Sequence, residues 1–515
     1  MEGDRGDQKP LELAIKRIVS AKLLVKPRDN NGGSLLRLFL ASSVSGAIHY
    51  GWGMQISILT PYAQLLGVPH MFASLICSSG PLAGVLVNPT LNYHSDRCTM
   101  RMGRRRPFIL VGCLLLSISA MVIGYSPDIG HYLGDPKIKC GVFSVRKGAS
   151  AMVIFGFWLL DFANNTARGV TRAMMDDLSV GNKYGPQIGY VLFCFWGSIG
   201  VTLGLAAGAT GKWPGWFPWL KTEACCHVCA NIKGSCIASV VYIVITMALT
   251  MAFADEQPIE KKDVDTSHVQ SFSNPFKCLK NMSPSTTQLF ILTGLSWLAL
   301  YPFFIYNTDW MGREIYHGNP RGSREELHMY TNGFRQGCIG LILSVIARTV
   351  TTAFIPKLCH KLTARTVWAL SNFLMCLLML TAVIISVLSS NGYRPSSRHS
   401  RTEPDPTLVA IALGIFALLG ISGSITQCVP MALAFHIAAT EGGDSQGNAV
   451  GAISIAIVMP QVLAVLTTGP IDNACGDGGN TPGFALSAAL AFLSWFLGLL
   501  LLSRKSDISY SMPLL

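Results

Sequence analysis

Residues 155–178 read FGFWLLDFANNTARGVTRAMMDDL. The segment is apolar enough at its start to sit in lipid, yet it carries Asp161, Asn164, Asn165, Arg168 and Arg172. A charge at membrane depth costs about 2.5–3.5 kcal/mol on insertion scales and more in simulation. Such side chains must face a bundle interior or a water-filled cavity. Their spacing fits that demand: Asp161, Asn165, Arg168 and Arg172 fall at i, i+4, i+7 and i+11, one face of a helix. An acid, amides and guanidiniums on one intramembrane stripe make a path for a polar solute or a proton. No phosphate-binding Gly-Lys-Ser loop, nucleophile elbow or His-Glu-x-x-His occurs in the chain, so ATP-driven chemistry is not expected. Energy would come from an ion gradient or the solute's own gradient, and an intramembrane acid such as Asp161 suits protons.

The elements that position this stripe are membrane helices. The chain has 515 residues, 50% of them hydrophobic and 13% charged, which places it among multi-spanning membrane proteins. The formal charge of +12 would point to nucleic acid in a soluble chain. Here basic residues in short loops orient the spans, and no nucleic-acid partner is expected. Twelve spans are expected, at 35–60, 71–93, 107–125, 149–178, 187–208, 236–254, 286–310, 331–354, 364–390, 407–436, 448–468 and 483–503. The longest polar break, 255–285, divides them into six and six. The expected layout is a tail at 1–34, a six-helix half at 35–254, a cytosolic linker at 255–285, a second half at 286–503 and a tail at 504–515. Residues 1–34 show no cleavable signal; 11–25 could form a basic amphipathic helix or belong to a disordered cytosolic tail.

The loop after the second span, SDRCTMRMGRRRPF, holds Arg97, Arg101, Arg104, Arg105 and Arg106 and marks the cytosolic side. Basic residues on the opposite side, such as Lys137 and Arg321, weaken the bias without reversing it. Cysteines are mostly scattered through apolar segments as small hydrophobes. The cluster Cys225, Cys226, Cys229 and Cys236 is too cramped for a standard zinc site, and one disulfide is expected if it faces an oxidising lumen. No metal is expected, and the pair is open.

The six-plus-six pattern and the arginine loop are those of major facilitator transporters, an all-α membrane fold with 12 transmembrane helices in two six-helix halves. Asp96, Arg97, Gly103, Arg104 and Arg105 match that superfamily's conformational loop. Longer matches narrow the family. They are Gly51-Trp52 with Gln55, Tyr62-Ala-Gln-Leu-Leu-Gly67, Val68-Pro69-His70 and Tyr93-His-Ser-Asp-Arg-Cys98. Others are Leu160-Asp-x-Ala-Asn-Asn165, Thr308-Asp-Trp-Met-Gly-Arg-Glu-Ile-Tyr316 and Val458-x-Pro-Gln461. Over residues 35–503 the chain resembles the plant sucrose/proton symporters, the glycoside–cation branch of the superfamily.

The resemblance implies proton-coupled symport of sucrose or a related glycoside by alternating access, with the proton as coupling ion and no other cofactor. It implies a protonatable acid at Asp161, a transmembrane arginine at Arg172 and a nearby acid at Asp177. Asn164 and Asn165 match residues lining the sugar cavity. Asp309, Arg313 and Glu314 match a charged cluster ending the seventh helix, Arg335 an arginine on the eighth, and His70 a histidine at the outer mouth. Read physically, Trp52, Gln55, Asn165 and Arg172 would offer a disaccharide an aromatic face and polar partners. Trp52 as a packing aromatic, His70 as a solvated loop histidine and the 309–314 cluster as a gating or structural ion network are the alternatives. A multi-pass bilayer protein follows, a monomer suffices, and the plasma membrane is slightly favoured over the vacuolar one.

The chain departs from the family where the cavity should be. Arg168-Gly-Val-Thr-Arg172 stands where Gln-Gly-Pro-Cys-Arg is usual, and His49, Asn88, Ser422-Gly423 and Gln427 also differ. Arg348 and His436 add polar groups to apolar segments. Arg168 could pair with Asp161 or Asp176 and depress coupling, or favour an anionic or differently shaped glycoside. Two other readings remain open: a transporter of another glycoside or monosaccharide, and a transporter-like sugar sensor, against which the short linker counts.

Overall fold

The computed structural model describes residues 35–69, 76–136, 145–179, 188–254, 256, 279, 282–392, 404–441, 445–475 and 479–501. His70, both expected tails and nearly all of the 255–285 linker lie outside the described residues. Among the described residues, twelve long helices follow one another: α1 Val44–Leu65, α2 Ser79–Asp96, α3 Arg106–Gly124, α4 Lys147–Ser179, α5 Ile188–Ala209 and α6 His227–Phe253, then α7 Pro284–Trp310, α8 Arg324–Leu362, α9 Ala364–Gly392, α10 Pro406–Glu441, α11 Ser445–Cys475 and α12 Thr481–Leu501. In lipid every backbone group must be bonded internally, so apolar segments of this length become helices even with Pro61, Pro302, Pro430 and Pro460 inside them.

Among the described residues, nine helices are long and apolar enough to cross a membrane, α3 and α5 through α12. The other three, α1, α2 and α4, have comparable length and more polar sequences. These three carry the residues described below as the candidate site.

Several boundaries differ from the expected spans for local reasons. The first span breaks into Leu35–Ala41 and α1 at Ser42-Ser43, where the Ser42 hydroxyl donates to the Phe39 carbonyl at 2.9 Å. Helix α6 begins nine residues earlier than the apolar pattern, because its polar first turns are buried and bonded. Asn231 Nδ2 donates to the Gly208 carbonyl at 2.9 Å, and Lys233, 1% exposed, pairs with Asp128. Helix α8 begins at Arg324 because Ser323 and Glu326 form a capping box there. Helix α7 runs on into a π-helical turn, Met311–Ile315. Cys225, just before α6, and Cys229, in its first turn, form a disulfide; Cys226 is disulfide-bonded as well, and Cys236 is a free buried thiol.

Within the first half, α1 and α5 pack backbone to backbone. A Cβ on Gly200 would run into the Gly46 carbonyl, one on Gly204 into the Tyr50 carbonyl, and one on Gly53 would lie 2.6 Å from the Val201 carbonyl oxygen. Small residues allow this approach, which drives helix association where no hydrophobic force acts between helices. The halves meet along α1–α7, α5–α8 and α2–α11. The upper face, where α1, α5 and α7 end, carries the 210–226 segment. The lower face, where α2, α4 and α6 end, carries the arginine loop.

Candidate functional site

Asp161 lies near the middle of α4 and is 4% exposed. One carboxylate oxygen accepts from Gln55 Nε2 of α1 at 2.9 Å and from the Ser79 hydroxyl, the first residue of α2. Gly80 leaves room for the carboxylate: a Cβ there would sit 3.4 Å from Asp161 Oδ1. Three helices thus converge on one buried acid that, among the described residues, has hydrogen bonds but no hydrogen-bonded cation. The opposite ends of its neighbours stay open. Gln55 Oε1 and Asn164 Oδ1 are buried without a hydrogen-bond donor among the described residues. A buried acceptor without a donor costs about 1–3 kcal/mol.

One turn further along α4, Asn165 Nδ2 donates to the Asp161 carbonyl at 2.9 Å. Arg168 Nη2 donates to Asn165 Oδ1 at 3.2 Å. Arg168 therefore bonds an amide rather than Asp161 or Asp176, although its charge acts on Asp161. Arg172 lies eleven residues from Asp161, about 16 Å along the helix axis, beyond direct reach. Its guanidinium sits 4.7 Å above the Tyr190 ring of α5. Arg168 and Arg172 are both exposed at depths where α4 is surrounded by other spans, so water must reach them. Trp52 is half-buried on α1 and packs against the apolar core of the second half.

At the upper face the halves are joined. Thr60 Oγ1 of α1 donates to the Ile305 carbonyl of α7 at 2.9 Å, and Thr308 Oγ1 donates to the Ser57 carbonyl at 2.8 Å. Arg313 donates to the Gln64 side chain and Arg321 to the Val68 carbonyl. Arg313 Nε also lies 3.0 Å from the fully buried Asp309, which accepts from Tyr330 at 2.7 Å and Asn480 at 3.3 Å. Glu314 turns away from Arg313 and caps α12: Thr481 N and Oγ1 donate to it at 3.1 and 2.7 Å, with Asn480 N as a further donor. Arg335 lies against Gly211, which has φ +63 at the end of α5, and not in the Asp309 network.

At the lower face, Asp177 accepts from Arg104 and, at 3.1 Å, from Arg105 Nε, while Arg105 Nη1 donates to Ser95 at 2.9 Å. The acid expected near the transmembrane arginine is therefore part of the loop latch. Asp96 ends α2, Arg97 follows it, and Gly103 has φ +112. Sequence reasoning missed Glu256, whose carboxylate accepts from the backbone amides of Arg105 at 2.8 and 2.9 Å and of Arg106 at 3.3 Å. These amides open α3, where an anion complements the helix dipole. Burial pushes the Glu256 carboxyl above its usual range, and the two amides pull it part of the way back. Ser79, Tyr330 and Asn480 were also missed; a serine, a tyrosine and an asparagine near helix ends carry no distinguishing local signal.

A family model described as the Major Facilitator Superfamily matches residues 41–465. The chain is 47% identical to "Sucrose transport protein SUT5" of Oryza sativa subsp. indica, over 99% of this chain and 98% of that one. It is 36% identical to "Sucrose transport protein SUC3" of Arabidopsis thaliana, over 93% of this chain and 89% of the relative. Among solved structures, the D-xylose-proton symporter aligns with a TM-score of 0.64 at 12% identity, covering 92% of this chain and 99% of that one. The nucleoside transporter NupG aligns with a TM-score of 0.61, also at 12%, covering 91% and 98%. The chain belongs to the major facilitator superfamily and, within it, to the plant sucrose transport protein family. It is an integral multi-pass membrane transporter and not an enzyme.

Proposed function

We propose that the protein is a proton-coupled symporter of sucrose or a closely related glycoside, working by alternating access of its two halves around Asp161. The observation that carries this reading is the environment of Asp161: a buried acid held by neutral donors from α1 and α2, beside the unfilled acceptors of Gln55 and Asn164. The naming of relatives at 36–47% identity as sucrose transport proteins supports the cargo.

Asp161 takes up and releases the proton. Its donors come from two helices, so a relative movement of α1 or α2 changes its partners and hence its proton affinity; that dependence is the coupling. Arg172 acts on it through Arg168 in this state. Gln55, Asn164 and Asn165 meet the sugar hydroxyls, and Trp52 offers a ring face. The lower face, with its arginine loop, is cytosolic, and the state described is sealed on the outside by Gln64, Asp309, Arg313 and Tyr330. The membrane is the plasma membrane.

Uptake of labelled sucrose into proteoliposomes, with and without an inward acidic gradient, tests this. Gradient-driven uptake that is lost in Asp161→Asn, with sucrose exchange retained, is expected. Gradient-independent uptake, or an Asp161→Asn variant that still concentrates sucrose, would overturn the proton site. Well-folded protein without any sucrose flux would overturn the cargo.

A further inference from the structure

Helix α2 opens beside the buried acid. Its first residue, Ser79, is fully buried, and two acceptors lie within reach of its hydroxyl. One is the Ile76 carbonyl at 2.9 Å, across the turn at Cys77-Ser78; the other is an Asp161 oxygen on α4. A hydroxyl has one proton to give and can also accept, whereas a carbonyl only accepts. The Ser79 proton therefore serves one of the two at a time, and the protonation of Asp161 decides which. When Asp161 is ionised, Ser79 donates to it. When Asp161 is protonated, the acid donates to Ser79 Oγ, and the Ser79 proton turns to Ile76. Neither state requires a heavy atom to move.

Gln55 does not work this way. Its Nε2 bonds the same Asp161 oxygen at 2.9 Å, and an amide N–H only donates. Of the two side chains bonded to the acid, Ser79 alone answers both of its protonation states through one atom. Three further groups face Asp161. Arg168 carries a fixed charge and bonds Asn165; Cys77, ahead of α2, and Tyr301 of α7 stay protonated near neutral pH. None of these replaces the hydroxyl as a donor to the carboxylate.

A bond to the ionised form is charge-assisted and roughly twice as strong as a neutral one. In a buried site, where little water competes, that difference grows. The hydroxyl therefore favours the carboxylate while still offering the protonated acid an acceptor. On the transport reading above, the state described is closed above and open below, so it is the state in which the proton must leave toward the cytosol.

Resting on that reading, we infer that Ser79 is a further residue of the proton step: its hydroxyl turns from Ile76 to Asp161 as the acid ionises, and so promotes release of the proton on the cytosolic side. The bond that breaks is the Asp161 O–H, and its proton passes to water below. Ser79 keeps its own proton and only rotates.

The test separates net uptake, which needs proton release, from sucrose exchange, which does not. Both are measured on the full-length protein in proteoliposomes, reconstituted with the cytosolic face inward, at fixed outer pH and stepped lumenal pH. In the wild type the ratio of net uptake to exchange falls as the lumen becomes acid. In Ser79→Ala the fall is expected at a lumenal pH about one unit higher, a tenfold change in proton affinity, which is the worth of a hydrogen bond to a charged group. Ser79→Cys, with a weaker donor, should lie between. A Ser79→Ala profile that matches the wild type overturns the inference, as does a loss of net uptake and exchange in equal proportion at every lumenal pH. Should Ser79→Ala support no exchange, Ser79→Cys decides by the same shift in smaller measure. Asp161→Asn keeps the two readings apart. A wild-type profile in that variant sinks the proton site itself; a profile abolished there and unmoved in Ser79→Ala sinks this inference alone.

Discussion

The two ends of the interface between the halves are built on opposite rules. At the upper end, hydrogen bonds cross from α1 to α7 and its following turn, and the buried acid there is fully answered: Asp309 by Arg313, Tyr330 and Asn480. At the lower end, Arg168 and Arg172 are exposed, and neither forms an ion pair among the described residues. Paired charges tolerate a dry seam; unpaired ones require water. The difference identifies which end is shut, and it shows that opening and closing need not be symmetric events. The upper seal is made of specific directional bonds.

The largest expected effect breaks the upper seal. Arg313→Ala removes from the fully buried Asp309 the guanidinium that lies 3.0 Å from it, while the Tyr330 and Asn480 donors stay in place. Removing one partner of a buried pair costs about 3–5 kcal/mol, so hydrogen exchange across residues 303–316 should accelerate by about a hundredfold or more. Protection there that matches the wild type would mean that the Thr60 and Thr308 bonds hold the seam without the ion pair. Next in size is a change that should ignore the comparison altogether. Gly200→Ala drives a Cβ into the Gly46 carbonyl within one half. An overpacked contact of this kind costs about 1–3 kcal/mol. Thermal unfolding should detect it, while the ratio of exchange at the two ends stays unchanged. Gly423→Ala, whose Cβ would sit 3.8 Å from its nearest neighbour, is the matched change expected to be silent.

How much of this was legible in the chain depends on whether the signal was local. The α4 stripe was readable because charge inside an apolar run is itself improbable, and the structure links Asp161, Asn165 and Arg168 in the order of their spacing. The twelve helices followed from apolar length. The three more polar ones, α1, α2 and α4, were recognisable only because their apolar residues still outnumber the polar ones they present to the cavity. What was hidden is pairing across distance. Nothing near Ser79 marks it as the donor to an acid 82 residues away. Glu314 and Arg313 are sequence neighbours and looked like one cluster, yet the π-helical turn sends one to α12 and the other to α1. Asp177 looked like the acid that accompanies Arg172, and the return of α2 into α3 places Arg104 and Arg105 on it instead.

A smaller test separates the ion pair from the rest of the seam. Thr60→Val and Thr308→Val each remove one hydroxyl that donates to the backbone of the opposite half. A single such bond contributes about 0.5–1.5 kcal/mol. Each change should therefore speed exchange across 303–316 by about tenfold or less, and the double change should approximate the product. A single threonine variant matching Arg313→Ala would show that the bonds act as one cooperative unit.

The smallest expected effect is at the lower face and turns on pH. Glu256 is the acid that accepts the first amides of α3, and burial holds its carboxyl above the usual range. A raised carboxyl binds its proton more tightly in the latched loop than in the released one. The latch is therefore firmest below the ordinary glutamate value of about 4.3. It loosens as pH climbs from there through the raised value, then levels off. Hydrogen exchange of residues 97–106, corrected for the intrinsic pH dependence of exchange, should show protection falling across that window in the wild type. Glu256→Gln keeps an acceptor but cannot ionise, so its protection should stay flat. The Asp309 region should not respond to this substitution, because Glu256 sits at the opposite face of the molecule. An identical pH slope in both proteins would assign the titration to another group and leave Glu256 as a simple helix cap.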